Sequence, residues 1–178
     1  RLDAVTSGVV VLARSQRAVK RLNAVFRERK AEKKYLALVS QPFPEPVQVD
    51  APLGRLKGTR HGVKADGKPA QTAFTPIDSR ADGALVLASP LTGRTHQIRV
   101  HMSEMECPIV GDPIYSTSRR LKPLSSELID CIRSMKGIGL HARELGFHHP
   151  ITNEFLLFKE NWPENLTPLV SLLGFKDV

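Results

Sequence analysis

The chain has 178 residues, 41% of them hydrophobic and only 6% aromatic, which suffices for one domain with a mostly aliphatic core. Its 26 Lys and Arg against 18 Asp and Glu leave a net charge of +8, so an anionic partner is expected, nucleic acid ahead of membrane. No apolar run reaches bilayer-spanning length, no signal-peptide pattern leads the chain, and Cys107 and Cys131 make no C-x-x-C pair. Neither a membrane-spanning helix nor a disulfide scaffold is expected, and reduced thiols in an intracellular compartment fit best, cytoplasm and organelle both remaining open.

In chain order, Arg1-Leu2-Asp3-Ala4-Val5-Thr6-Ser7-Gly8 sets one carboxylate before a tight turn. Asp3 there either caps the turn or is an accurately held reactive group. Gly8 to Ala13 is a continuous β-branched run and predicts a buried strand. Ser15 predicts a cap for a helix from about Gln16 to Lys30, with Val19, Leu22 and Phe26 on its apolar side. The opposite side carries Arg14, Arg17, Lys20, Arg21, Arg27, Arg29 and Lys30, followed by Lys33 and Lys34. Only Glu28 and Glu32 oppose these nine cations, an imbalance that makes Arg17, Lys20 and Arg21 candidates for phosphate contact rather than a plain solvated face.

Lys34 to Ser40 predicts a strand with Tyr35 near its start, Pro42, Pro44 and Pro46 a connector, and Val47 to Pro52 a short strand. Gly54 to Gly67 reads as an exposed, mobile basic loop, without the G-K-[ST] that would end a P-loop. Ala70 to Ile77 and Ala84 to Ser89 read as neighbouring antiparallel strands. Thr95 is the expected cap of a helix bearing Ile98, Met102 and Met105. Arg94, His96, Gln97, Arg99 and His101 fall within eight residues, a donor density unusual for a purely structural element. Gly111-Asp112-Pro113 is a turn signal, and 116 to 124 a basic loop. A helix over Ser125 to Met135, strands over Leu140 to His149 and Glu154 to Lys159, and a terminal helix over Leu166 to Leu173 complete the pattern. Helices set between hairpins and strands predict an α+β domain with a mixed, largely antiparallel sheet and flanking helices. His96 with His101, and His148 with His149, lack metal-site spacing, so no metal is expected.

Four stretches together resemble the RluA-type family of RNA pseudouridine synthases: residues 1 to 8, Lys33-Lys34-Tyr35-Leu36-Ala37-Leu38-Val39, Gly93-Arg94-Thr95-His96-Gln97-Ile98-Arg99-Val100-His101, and Leu140-His141-Ala142. Gly67-Lys68-Pro69-Ala70-Gln71-Thr72 and Pro108-Ile109-Val110-Gly111-Asp112 support them in the same order, so the resemblance spans roughly residues 1 to 160. It implies a pseudouridine synthase fold with a central RNA-binding cleft. It matches Asp3 to the catalytic aspartate, Tyr35 to the active-site tyrosine, Arg99 to the arginine that pairs with the aspartate, and Leu140 to an apolar residue of the uracil pocket. It also implies that Arg1, Arg94, His96 and Gln97 contact RNA, although His96 and Gln97 serve equally well to orient Arg99.

The implied reaction moves uracil from N1 to C5 attachment on its ribose. It is redox-neutral and adds no atoms, so no cofactor is needed. Ribosomal and transfer RNA are the candidate partners, and ribosomal assembly particles a further one. The rival expectation is a non-catalytic RNA-binding or ribosome-assembly factor retaining the fold. The family has a histidine before the first arginine, and strands before that, which predicts that residues 1 to 178 are a catalytic domain incomplete at its N-terminus.

Overall fold

A computed structural model describes residues 1–116 and 125–175. In chain order it contains β1 (Ser7–Gly8), α1 (Gln16–Arg27), β2 (Glu32–Val39), β3 (Val47–Asp50), β4 (Leu53–Arg55) and β5 (His61–Val63). There follow β6 (Gln71–Arg80), β7 (Gly83–Pro90), α2 (Gln97–Glu104), α3 (Ser126–Ser134), β8 (Leu140–His148), β9 (Phe155–Lys159), a 3-10 turn (Glu164–Leu166) and α4 (Thr167–Leu172).

Seven strands form one sheet in the order β1-β8-β2-β7-β6-β3, with β9 also paired to β8; β4 and β5 make a separate hairpin. All pairings in the large sheet are antiparallel except β1 with β8, which is parallel. The expected α+β architecture is the one observed.

The central strands are covered on both faces, so they read as unbroken apolar runs. Ala37 and Val39 of β2 and Ala84, Val86 and Ala88 of β7 face one cluster with Ile98 and Met102 of α2. Leu36, Leu38 and Leu85, alternating with them, face the other cluster with Leu128 of α3 and Leu169 and Val170 of α4. The sheet is therefore a rigid middle layer, and α2 lies on the face that carries Tyr35.

Several sequence expectations shift. The buried strand over Gly8 to Ala13 is absent: only Ser7 and Gly8 pair, opposite His141 and Ala142. From Glu144 onward β9 pairs with β8, so the chain after Gly8 finds that stretch of strand already taken. Val9 and Val11 instead pack under α1 with Leu22 and Val25, while Val10 and Leu12 are exposed. The helix after Ser15 is as expected at its start, Ser15 Oγ accepting from the Ala18 amide at 3.2 Å, and ends at Arg27. Lys33 and Lys34 do not extend its basic face. Lys33 Nζ donates to the Thr92 carbonyl at 2.9 Å, and Lys34 pairs with Glu144 at 3.0 Å. The basic loop expected over 54 to 67 is built on the β4–β5 hairpin. Of the basic loop at 116 to 124, residues 117–124 lie outside the described residues.

Candidate active site

Asp3 is placed by the turn behind it. Its carbonyl accepts from the Thr6 amide at 2.9 Å, the Val5 carbonyl accepts from Ile138, and the Val9 amide donates to Ala142. Gly8 makes this approach possible. It sits at φ +113, and a Cβ there would lie 2.3 Å from the Ala142 carbonyl oxygen. Ser7 Oγ reinforces the join through His141, 2.9 Å from its Nδ1. His141 Nε2 faces the Glu160 carbonyl, so it carries the proton and Nδ1 accepts from Ser7. Burial accordingly holds the His141 pKa below its ordinary value.

Arg99 comes from the first turn of α2. Its Nη1 donates to Asp3 Oδ2 at 3.1 Å, while Nε and Nη2 donate to Asp112 at 2.7 and 2.9 Å. Burial works against the Arg99 charge, but the two carboxylates outweigh it and raise its pKa. The expected Asp3–Arg99 ion pair is present. Asp112, read in the sequence only as a turn residue, turns out to be the larger partner. The side chains of Arg99 and Asp112 are 2% and 0% exposed, against 26% for Asp3.

Tyr35 starts the run of β2 that pairs with β7, and its ring leans on the cluster containing Leu140, Ile98 and Met102. Burial and the nearby Asp3 charge push its hydroxyl up to about 12. Tyr35 is therefore a neutral phenol at any physiological pH. Leu140 is buried beneath it, giving the ring an apolar support.

The approach to α2 departs from expectation. Thr95 does not cap the helix; His96 occupies the cap position in the left-handed region, φ 56. The entry is fastened by Gln97 instead. Gln97 Oε1 accepts from the Arg94 amide at 2.9 Å and from Thr92 Oγ1 at 2.7 Å. Its Nε2 donates to the Gln71 carbonyl and to Thr72 Oγ1, both at 2.9 Å. Thr72 faces His101 Nδ1 at 3.0 Å, and His101 Nε2 faces the Ala51 carbonyl at 3.2 Å, which makes His101 a neutral relay in the same network. Gln97 is thus buried with its amide fully engaged inside the protein, a correction to its expected RNA contact. It orients the loop bearing Arg94 and His96, not Arg99.

The other expected contacts are more accessible. Arg94 is half-buried and tied through Nε to the Pro69 carbonyl at 3.0 Å. His96 is half-buried beside the cluster, where burial and the Arg99 charge lower its pKa. The Tyr115 hydroxyl accepts from the His61 amide at 3.0 Å and donates to His96 Nδ1 at 2.9 Å, joining the β4–β5 hairpin to the site. Arg1, Arg17 and Lys20 are exposed; Arg21 is anchored to the Pro150 carbonyl at 2.9 Å. Among the described residues, no group of three His, Cys, Asp or Glu side chains is arranged to hold a metal, and no helix is long and apolar enough to cross a membrane.

The arrangement offers one partly open carboxylate held by a buried arginine and a neutral aromatic ring beside it. Comparison with known proteins identifies the family. Residues 1–104 match the family described as RNA pseudouridylate synthase. An uncharacterized RNA pseudouridine synthase of Chloroflexus aurantiacus is 38% identical over 168 residues, covering 93% of this chain and 50% of the relative. A ribosomal large subunit pseudouridine synthase D of Vibrio parahaemolyticus is 36% identical over 176 residues, covering 97% of this chain and 54% of the relative. The chain thus spans about half the length of these curated relatives. Human RNA Pseudouridylate Synthase Domain Containing 4 superposes with a TM-score of 0.79 at 28% identity, over 97% of this chain and 74% of that one. The fold, the order of the motifs and these matches agree, and the chain belongs to the RNA pseudouridylate synthase family, of the RluA type.

Proposed function

We propose that this chain is a catalytic domain that converts uridine to pseudouridine in ribosomal RNA, with Asp3 as the reacting carboxylate. The observation that carries the reading is the asymmetry of the Arg99 cluster. Two carboxylates share one guanidinium, and only Asp3 keeps exposed surface. The cluster therefore presents a single negative charge at its open end, beside Tyr35.

The isomerisation breaks the C1′–N1 bond, turns the uracil, forms C1′–C5, releases the C5 proton and leaves N1 to take one up. A carboxylate serves this chemistry as nucleophile or as electrostatic partner of the electron-poor sugar. The bond from Arg99 holds it in place. Tyr35 offers a flat face for the displaced base. Its raised pKa argues for a hydroxyl that stays protonated, and against a phenolate that collects the C5 proton. The target base must first leave its stack, at a cost of a few kcal/mol. Phosphate contacts from the exposed Arg17 and Lys20 of α1 and from the basic β4–β5 hairpin would offset it. Ribosomal rather than transfer RNA is favoured because several relatives are named as ribosomal large subunit pseudouridine synthases.

The test is release of label from C5-tritiated uridine in ribosomal and transfer RNA, comparing the parent with Asp3→Asn. Release from ribosomal RNA by the parent alone supports the proposal. RNA binding without release by either protein favours a non-catalytic factor.

A further inference from the structure

We propose that Asp112 is a positioning residue for the reaction: it latches the guanidinium of Arg99 so that its remaining arm points at Asp3. The inference rests on the catalytic reading of Asp3 given above. Three observations carry it. The first is the division of labour on Arg99. The Nε–Nη2 edge, the one that matches a carboxylate in parallel, is given wholly to Asp112 at 2.7 and 2.9 Å. Asp3 receives a single bond, the longest of the three, at 3.1 Å. The second is that Asp112 is itself fixed. Its Oδ1 also accepts from the amides of Ile114 and Tyr115, at 2.9 and 3.2 Å, and its carbonyl accepts from Ser116 Oγ. The third is the ring of Tyr115, which lies 5.1 Å from the Arg99 guanidinium carbon. One turn, 112 to 115, thereby holds the guanidinium by an edge and a face.

With 0% of its side chain exposed, Asp112 has no surface to offer RNA. Whatever it does for the reaction passes through Arg99. Its charge matters as well as its shape. Asp112 balances the arginine, so the cluster keeps a net negative charge and Asp3 carries that charge to the open side. Without Asp112, Arg99 would be free to rotate and would face Asp3 as an unbalanced cation.

Asp112→Asn separates these roles from plain folding. Its amide nitrogen confronts an N–H of Arg99 instead of accepting from it, and the edge unlatches. Two readouts are needed. The Nε–H signal of Arg99 in nitrogen-15 spectra, assigned by its disappearance in Arg99→Lys, is expected to exchange slowly in the parent. It should stay slow in Asp3→Asn and be lost in Asp112→Asn. In single-turnover assays on ribosomal RNA, Asp112→Asn is expected to release the C5 label about a hundredfold more slowly, the scale of a 1 Å misplacement. Its RNA Kd should stay within about twofold.

A protected Nε–H in folded Asp112→Asn, or turnover equal to the parent, overturns the proposal. So does loss of protection in Asp3→Asn, which would mean that Asp3 orients the arginine; this arm decides the matter even if Asp112→Asn does not fold. Failure of the parent to release label refutes the catalytic reading instead, and the spectra then still report which carboxylate holds Arg99.

Discussion

Replacing Gly8 with alanine should cost far more than the same change at Gly58, although both have positive φ. At Gly58, φ is +58 and an added Cβ meets nothing within 4 Å, so the cost is backbone strain alone, about 1–2 kcal/mol. At Gly8, φ is +113 and the Cβ would lie 2.3 to 2.7 Å from three backbone atoms of Ala142. Backbone cannot swing aside as a side-chain tip can, so β1 must part from β8. The Val9-to-Ala142 hydrogen bond goes with it, about 1 kcal/mol, and leaves a carbonyl to be resatisfied, about 1–3 kcal/mol. The sum is at least about 3 kcal/mol, or roughly 6–12 °C in Tm for a domain of this size. Gly58→Ala should lose about 2–8 °C on the same scale. Thermal unfolding followed by circular dichroism measures both. Equal losses in the two variants would show that the β1–β8 contact does not constrain the fold as described.

Three further outcomes are expected. Burial lowers Lys33 to about 8 from 10.5, so the folded chain holds that proton less tightly than the unfolded one; the penalty is full below pH 8 and fades as pH rises toward 10.5. Urea unfolding of the parent and Lys33→Met should therefore converge between pH 8 and 10, and a constant gap would refute the assignment. Tyr35→Phe should keep label release within about tenfold, whereas Tyr35→Ala should lose roughly 5- to 150-fold with the stacking face; a far larger loss in Tyr35→Phe would restore a chemical role to the hydroxyl. Arg17→Ala with Lys20→Ala should weaken RNA binding evenly across sequences and lower the slope of log K against log salt by about 2, an unchanged slope ruling out phosphate contact by α1.

Asp3, Tyr35 and Arg99 are singled out through the family resemblance of their stretches; on residue types alone, Asp3 is as well read as a turn cap. Asp112 is not singled out. Gly111-Asp112-Pro113 carries every sign of a surface turn, and nothing local says that the acid points inward onto an arginine thirteen residues earlier. The strand misread over Gly8 to Ala13 has a different cause. Its β-branched run suits a buried strand, but the edge it would have joined is occupied by β9, and occupancy is a property of the whole sheet. Gln97 was misjudged because a polar residue beside two arginines suggests a ligand contact, while its four partners lie on residues 71, 72, 92 and 94. The β4–β5 hairpin escaped notice because its strands have three residues each and are rich in Gly and cations. The central strands β2 and β7 are readable because burial on both faces leaves each an unbroken apolar run.

The parallel join of β1 to β8 also sets when this site can exist. Ser7 meets His141 across 134 residues, and Asp3 meets Arg99 across 96. A chain emerging from the ribosome N-terminus first has made Asp3, Tyr35 and Arg99 long before it makes the strand that seats the first of them. Local contacts cannot hold such a constellation, and closing loops of this length is slow. The grouping of Asp3, Tyr35 and Arg99 must therefore assemble late, when β8 enters between β1 and β2. Damage that delays that insertion would leave β2, β7, β6 and β3 paired and Asp3 unseated.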